Sequence, residues 1–176
     1  MALTFGAAFP MATGKAAAVG MGGGYGAPKV STAKLVSNLN QQLYASTAPE
    51  KYATFFFSVY DDSTEVLTYT NAGHLSPILV RQGKAIYLDS NGMVVGAFPF
   101  ARYGESTIKL ESGDLLVFYT DGITEPENAY GEQFGEDRLE RFLIDNSDRS
   151  ESELAALVVE EVVKWTASPE LQDDMT

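Results

Sequence analysis

The residues most able to do chemistry in this sequence are carboxylates that stand beside a glycine or in pairs. Asp121 follows an apolar, branched and aromatic run at residues 115–119, and Gly122 comes directly after it. Such a run, bounded by turn residues, predicts a buried strand with Asp121 at its end. A carboxylate there, next to a glycine that allows close approach to the backbone, is suited to a hard cation. An ordinary Asp-Gly turn is the competing interpretation of these residues.

Two acid pairs are further candidates for binding a cation. Asp61 and Asp62 lie between two strand-like runs, where hydrogen bonding within a turn already accounts for them. Asp173 and Asp174 follow a helical stretch and a proline, where a solvated loop is the competing interpretation. If Asp121 and Asp173 converge, they could hold Mg²⁺ or Mn²⁺, which prefer carboxylate and water oxygens. A water retained on such a metal is made more acidic by it and can attack phosphorus or a carbonyl carbon.

The single histidine, His74, invites comparison with a serine triad in which Ser58 or Ser76 is the nucleophile. The sequence has no Gly-x-Ser-x-Gly motif, so a serine nucleophile lacks its usual presentation between a strand and a helix. Because His74 closes a strand-like run after Asn-Ala-Gly, we expect it to tie down a loop by hydrogen bonds. The absence of cysteine excludes disulfides, thiolate zinc sites and cysteine nucleophiles.

Composition and charge indicate an acidic globular chain of about one domain. The 176 residues are 45% apolar and carry a net charge of −12. Residues 1–49 contain three lysines and no acid, so the remainder holds nine basic and 24 acidic residues, a net charge of −15. An acidic body repels phosphate backbones and anionic lipids, which argues against nucleic acid and membrane partners. With no signal-peptide pattern or long apolar run, a cytoplasmic location is expected.

Hydrophobic periodicity predicts one helix, then antiparallel hairpins, then two more helices. The first helix is predicted over residues 32–44, with Ser31 as its N-cap and a core-facing stripe of Leu35, Leu39 and Leu43. The predicted hairpins pair residues 54–60 with 65–70, 77–81 with 85–88, and 107–110 with 115–119. The later helices are predicted at residues 136–143 and after Ser150, which forms a capping-box signature with Glu153.

The domain organisation predicted from composition has two parts. Residues 1–30 are rich in glycine and alanine and show no clear periodicity, so they are expected to be irregular. Their glycine cluster fits neither a dinucleotide-binding nor a P-loop spacing. Residues 31–176 are expected to form the folded domain.

Three motifs in fixed order resemble one family. They are Thr-Tyr-Thr-Asn-Ala-Gly-His at residues 68–74, the segment Gly-Asp-Leu-Leu-Val-Phe-Tyr-Thr-Asp-Gly-Ile-Thr-Glu at residues 113–125, and Asp-Asp-Met-Thr at residues 173–176. Together they resemble the bacterial SpoIIE-like phosphatases, including the RsbU type, within the metal-dependent protein phosphatase (PPM) family. The resemblance extends over residues 31–176.

The resemblance implies an α+β fold in which a two-layer antiparallel β-sandwich is flanked by helices and carries a di-metal site for Mn²⁺ or Mg²⁺. It implies that Asp121 and Asp173 are catalytic and that Asp121, Gly122 and Asp173 bind metal, while residues 71–74 mainly support a loop. The implied reaction is removal of phosphate from a phosphoserine or phosphothreonine of a small regulatory protein of the anti-sigma-factor-antagonist type. A metal-bridging hydroxide would attack phosphorus directly, without a covalent enzyme intermediate.

The chain departs from the family pattern in its first part, where two further acidic motifs are expected. In the two possible alignments, the place of an aspartate is taken by Met11 or by Val19, and no residue before Glu50 is acidic. A final strand after Thr176 is also missing, so the fold is expected to be incomplete at both ends. A non-catalytic domain that binds a regulatory partner is therefore the alternative function, and a homodimer that supplies missing strands is a further possibility.

Overall fold

The computed structural model describes residues 30–48 and 51–167, and in them it shows four helices and six strands. In chain order these are α1 (Thr32–Ser46), β1 (Phe55–Asp61), β2 (Val66–Ala72), β3 (Ile78–Arg81), β4 (Lys84–Tyr87), β5 (Ser106–Lys109), β6 (Leu115–Val117), α2 (Asp121–Thr124), α3 (Glu136–Asp145) and α4 (Glu151–Thr166). Apart from Val30, the predicted irregular segment 1–30 lies outside the described residues. None of the described helices is long and apolar enough to cross a membrane.

The strands form two antiparallel sheets of three strands, in the orders β1-β2-β5 and β4-β3-β6. The chain divides into two compact units, each of which contains one sheet. Among the described residues, the first unit holds 30–48, 51–74 and 89–112, and the second holds 75–88 and 113–167. The predicted combination of antiparallel sheets and helices is confirmed.

Helix α1 packs on the first sheet through a face that differs from the predicted leucine stripe. Its N-cap is Ser31 as predicted, since the Lys34 amide donates to Ser31 Oγ at 3.2 Å. The buried residues of the helix are Thr32, Val36 and Asn40, whereas Leu35 is 37% exposed. The prediction of a leucine core stripe is therefore wrong at Leu35.

Buried hydrogen bonds explain why polar residues occupy this face of α1. Thr32 Oγ1 shares a 2.8 Å hydrogen bond with Thr70 Oγ1 of β2. Asn40 Nδ2 donates to the Phe98 carbonyl at 3.0 Å, and Asn40 Oδ1 accepts from the Gly96 amide at 2.8 Å. Because these partners satisfy the polar atoms, threonine and asparagine can be buried where a hydrophobicity pattern would place leucine.

The core of the second unit lies between its sheet and its helices. Ile78 and Val80 of β3 belong to one buried cluster with residues of α3 and α4. Leu139 and Leu143 come from α3, and α4 contributes Leu154, Val158 and Val162. Helix α4 begins with the predicted capping box, in which the Ser150 side chain and the Glu153 side chain each bond to the other residue's backbone. Both of the later helices predicted from the sequence thus contribute to this core.

The third predicted hairpin is wrong, because β5 and β6 pair with strands of different sheets. β5 pairs with β2, and β6 pairs with β3. The start of β6 is fixed by Arg81, whose Nε and Nη2 donate to the two carboxylate oxygens of Asp114 at 2.8 and 2.6 Å. The Asp114 side chain is 2% exposed, so this bidentate pair holds the turn residue against β3. Turn residues at 111–114 indicate where the chain reverses and do not specify the strand's partner.

Candidate functional site

Asp121 begins the single-turn helix α2 instead of ending a strand as predicted. Strand β6 ends at Val117, and the three residues that follow belong to no helix or strand. The turn forms because the Glu125 amide donates to the Asp121 carbonyl at 2.8 Å and the Ile123 amide donates to the Thr120 carbonyl at 3.0 Å. The predicted strand over 115–119 is therefore shorter, and residues 118–120 carry the chain from the sheet to Asp121.

The Asp121 side chain is exposed while the residues around it are buried. Tyr119 is 3% exposed, Thr120 6% and Ile123 4%, and Gly122 is also buried. Tyr119 and Ile123 belong to the same core cluster, so the chain is anchored two residues before and two residues after Asp121. The Asp121 carboxylate accepts a 3.0 Å hydrogen bond from the adjacent Gly122 amide. This arrangement presents a carboxylate to solvent from a firmly packed support.

Two tyrosine hydroxyls connect this region to helix α3. Tyr119 Oη donates to Glu136 Oε1 at 3.2 Å, and Tyr87 Oη donates to Glu140 Oε2 at 2.6 Å. Burial is the main cause of a raised pKa for the Tyr119 hydroxyl, with the charge of Glu136 second. Burial is likewise the main cause of the raised pKa of Tyr87, with the hydrogen bond to Glu140 second. Both phenols therefore remain protonated donors at neutral pH.

The loop after α2 returns to the same support. The Gly135 amide donates to the Thr124 carbonyl at 2.8 Å, and the Phe134 amide donates to the Pro126 carbonyl at 2.9 Å. Phe134 is 1% exposed and packs edge-on against Trp165 of α4, with ring centroids 6.3 Å apart. Both ends of the segment that contains Asp121 are thus joined to the helices of the second unit.

The Asn-Ala-Gly-His motif forms a hydrogen-bonded turn whose polar side chains are buried, as predicted for a loop support. The His74 amide donates to Asn71 Oδ1 at 2.9 Å, and His74 Nδ1 shares a 3.2 Å hydrogen bond with Thr54 Oγ1. Asn71 is fully buried, and His74 is 7% exposed. Gly73 has φ of +71°, and a Cβ added there would lie 2.9 Å from Val94 Cγ1. The motif has the geometry of a structural clamp.

The predicted ligands of a cation are only partly placed by the structure. Asp121 and Gly122 lie together at the start of α2, whereas Asp173 lies outside the described residues. Among residues 30–48 and 51–167, no group of three or more histidine, cysteine, aspartate or glutamate side chains could hold a metal. The exposed oxygen donors of Asp121 fit one ligand position for a hard cation. The described residues alone do not make up a di-metal centre.

Asp61, the first residue of the acid pair at 61–62, has the structural role predicted for the pair. Asp61 Oδ1 accepts from the Ser63 amide at 3.0 Å and from Ser63 Oγ at 2.6 Å, which forms an Asx-type turn between β1 and β2. These hydrogen bonds lower the pKa of Asp61. Asp61 therefore stabilises the hairpin.

The hydrogen bonds from Tyr119 and Tyr87 to α3 were not predicted from the sequence. Glu136 and Glu140 are four residues apart on a predicted helix, and Tyr119 ends a predicted strand beside Asp121. Two carboxylates four residues apart lie on one side of a helix, where each could accept a hydrogen bond from a tyrosine. The sequence does not pair them with Tyr87 and Tyr119, because that pairing depends on the strand order, which places β4 and β6 on either side of β3.

A comparison with models of known families identifies the phosphatase group. Residues 7–176 match the family model for stage II sporulation protein E (SpoIIE). The chain belongs to the SpoIIE family. This result confirms the resemblance to the SpoIIE and RsbU type of PPM phosphatase.

Two curated proteins illustrate the range of similarity. Protein IcfG of Synechocystis sp. is 32% identical over 127 residues, which cover 71% of this chain and 20% of IcfG. The phosphoserine phosphatase RsbU of Bacillus subtilis is 24% identical over 151 residues, which cover 84% of this chain and 44% of RsbU. The chain thus spans less than half the length of these relatives.

Solved structures with similar folds support the fold assignment. The SiaA-PP2C domain of Pseudomonas aeruginosa aligns with a TM-score of 0.71 at 18% identity, over 81% of this chain and 57% of that one. The phosphatase domain of SpoIIE from Bacillus subtilis aligns with a TM-score of 0.61 at 19% identity, over 88% of this chain and 74% of that one. At these identities, the similarity establishes the fold.

Proposed function

We propose that this chain is a protein serine/threonine phosphatase domain that acts on a phosphorylated regulatory protein. The observation that carries the proposal is Asp121, an exposed carboxylate on a packed support within a chain of the SpoIIE family. The name of the relative RsbU, a phosphoserine phosphatase, supports phosphoserine as a substrate group. A partner of the anti-sigma-factor-antagonist type is the substrate class that the family resemblance favours.

Asp121, Gly122 and Asp173 are the residues proposed to bind Mn²⁺ or Mg²⁺, and Asp121 and Asp173 are the proposed catalytic residues. A divalent cation bound by them would supply an acidified water as the nucleophile toward phosphorus. The described parts of the chain contribute the exposed Asp121 carboxylate and the packing of Tyr119 and Ile123 that holds it. A solved SpoIIE phosphatase domain was presoaked with Mn, which favours Mn²⁺ as the first cation to test.

The test is hydrolysis of p-nitrophenyl phosphate and of a phosphoserine peptide with and without Mn²⁺. The wild-type chain is compared with Asp121→Asn and with Asp62→Asn, a matched change at another exposed aspartate. We expect Mn²⁺-dependent hydrolysis that is lost in Asp121→Asn and kept in Asp62→Asn. Hydrolysis at the same rate without Mn²⁺, or at the wild-type rate in Asp121→Asn, would contradict the proposal.

A binding domain without turnover is the second candidate function. It is favoured by the absence of any acid in residues 1–49 and by the lack of a three-ligand cluster in the part of the chain that the structure describes. Each carboxylate ligand adds charge and fixes geometry, so a site with few of them binds divalent cations weakly. An inactive chain that still binds a phosphoserine regulatory protein in calorimetry would select this function over the first.

A further inference from the structure

Two similar hydrogen bonds join tyrosines of the second unit, one in β4 and one after β6, to the same face of helix α3. Tyr119 donates to Glu136 at 3.2 Å, and Tyr87 donates to Glu140 at 2.6 Å. The two glutamates are four residues apart, so they lie one above the other on one side of the helix. The two bonds therefore share donor type, acceptor type and helix.

The two tyrosines differ in their distance along the chain from Asp121. Tyr87 is the last residue of β4 and pairs with Ile78 of β3. Tyr119 lies in the segment between β6 and α2 and precedes Asp121 by two residues. Of the two tyrosine bonds, the one from Tyr119 therefore acts directly on the segment that carries the exposed carboxylate.

Backbone hydrogen bonds close the turn at Asp121 and join Thr124 to Gly135, and apolar packing holds the same segment against the core. The Tyr119 ring and Ile123 set how deeply it is buried, but packing is not directional and permits small shifts along the core surface. A hydrogen bond to a charged acceptor has a preferred distance and angle, so it fixes the position of the chain beside it. The Tyr119–Glu136 bond adds a directional side-chain restraint two residues from Asp121.

We propose that Glu136, through Tyr119, is a positioning residue for Asp121, an inference that rests on the proposed metal-binding role of Asp121. Mg²⁺ and similar small cations require near-ideal ligand geometry, so a carboxylate that samples more orientations binds them less tightly. Glu136 contacts neither substrate nor metal in this account. Its effect on cation binding passes through the Tyr119 hydroxyl.

Isothermal titration of Mn²⁺ into the full chain tests this role, with thermal unfolding measured in parallel. The variants are Tyr119→Phe and its matched control Tyr87→Phe, each of which removes one hydroxyl that donates to α3. Loss of one hydrogen bond to a charged group is expected to weaken Mn²⁺ binding about fivefold in Tyr119→Phe. Tyr87→Phe is expected to lower the melting temperature and to keep Mn²⁺ affinity within about twofold. Equal weakening in both variants, or none in Tyr119→Phe, would overturn the proposal.

Changes at Glu136 provide a second readout that does not depend on tyrosine packing. Glu136→Gln retains an oxygen that accepts from Tyr119, so it should keep more Mn²⁺ affinity than Glu136→Ala. Equal affinities in the two variants would contradict positioning by this hydrogen bond.

An Asp121→Asn titration separates failure of this inference from failure of the proposed function. If Asp121→Asn binds Mn²⁺ as the wild type does, the proposed metal site is wrong, and the positioning role is wrong with it. If Asp121→Asn loses Mn²⁺ while Tyr119→Phe does not, the metal site stands and only the positioning role is wrong.

Discussion

The polar motif at the end of β2 and the polar motif at the start of α2 use their side chains in opposite ways. In the first unit, Asn71 and His74 are buried, and their hydrogen bonds close a turn on neighbouring backbone and side chains. In the second unit, Asp121 is exposed, and its carboxylate accepts from the amide of its own neighbour, Gly122. The first arrangement stabilises a loop, and the second leaves oxygen atoms directed to solvent.

The difference shows that a polar residue after a strand is not by itself a sign of chemistry. Among the described residues, no buried side-chain nitrogen or oxygen lacks a hydrogen-bond partner. The clamp at residues 71–74 follows this rule, since its buried polar atoms are engaged in holding the fold. The buried residues around Asp121 hold the backbone, which leaves the carboxylate available to a ligand.

The largest effect on stability is expected when the buried motif is broken. Asn71→Ala removes the acceptor of the His74 amide in a fully buried place, so it should lower the free energy of unfolding by about 2–4 kcal/mol. The exposed change Asp121→Asn should alter it by no more than about 0.5 kcal/mol. Urea unfolding followed by circular dichroism measures both. A similar decrease in the free energy of unfolding of the two variants would contradict the distinction between a structural Asn71 and an exposed Asp121.

A glycine comparison tests the close packing of the same clamp. Gly73 and Gly83 have nearly equal φ values of +71° and +72°, but a Cβ would meet Val94 at the first and nothing within 4 Å at the second. Gly73→Ala should cost about 2–3 kcal/mol because strain and overlap combine. Gly83→Ala should cost about 1 kcal/mol from the left-handed backbone alone. Equal midpoints in urea would show that the Val94 contact is relieved without cost.

A smaller effect concerns an exposed carboxylate that is structural. Glu105 Oε2 accepts from the Ala33 amide and from the Ser31 and Thr32 hydroxyls, and these hydrogen bonds lower the pKa of Glu105 below its ordinary value of 4.5. Because the folded-state pKa is lower than the unfolded one, the stabilisation is present above pH 4.5 and is lost as the pH falls through the folded-state pKa.

Glu105→Gln should therefore reduce stability at neutral pH and flatten its decline below pH 4.5. Melting temperatures of the wild type and the variant, measured across the range from about pH 3 to about pH 7, would show this difference in the pH dependence of stability. Parallel curves would show that Glu105 does not cap α1 in solution. A flattened curve would show that an exposed acid with several donors stabilises the fold, in contrast to Asp121.

Local sequence signals predicted the elements that depend on local interactions. Ser31 and the Ser150–Glu153 box marked two helix starts correctly, because an N-cap acts within one turn of its own helix. The hairpins β1–β2 and β3–β4 were also predicted, since short turns bring sequential strands together.

The features that depend on distant partners were not predictable from the sequence. Burial of Asn40 on α1 requires the backbone of Gly96 and Phe98, and the pairing of β6 with β3 is accompanied by the Arg81–Asp114 contact. Asp121 was recognised from its motif, but its exposure on a helical turn follows from the packing of Tyr119 and Ile123. Residue types thus identified the candidate ligand, and tertiary packing determined its presentation.

The most direct test of the account is the Mn²⁺-dependent rate of phosphoserine-peptide hydrolysis per folded molecule in Asp121→Asn and His74→Gln. Loss of a metal ligand should exceed the about 10- to 100-fold cost of losing an outer partner of a metal, so the Asp121→Asn rate should fall at least about 100-fold. His74→Gln should retain the wild-type rate within about threefold, because a structural residue changes the folded fraction more than the rate of folded molecules. An Asp121→Asn rate equal to that of the wild type would contradict a catalytic role for Asp121. A rate in His74→Gln as low as that in Asp121→Asn would contradict a purely structural role for His74.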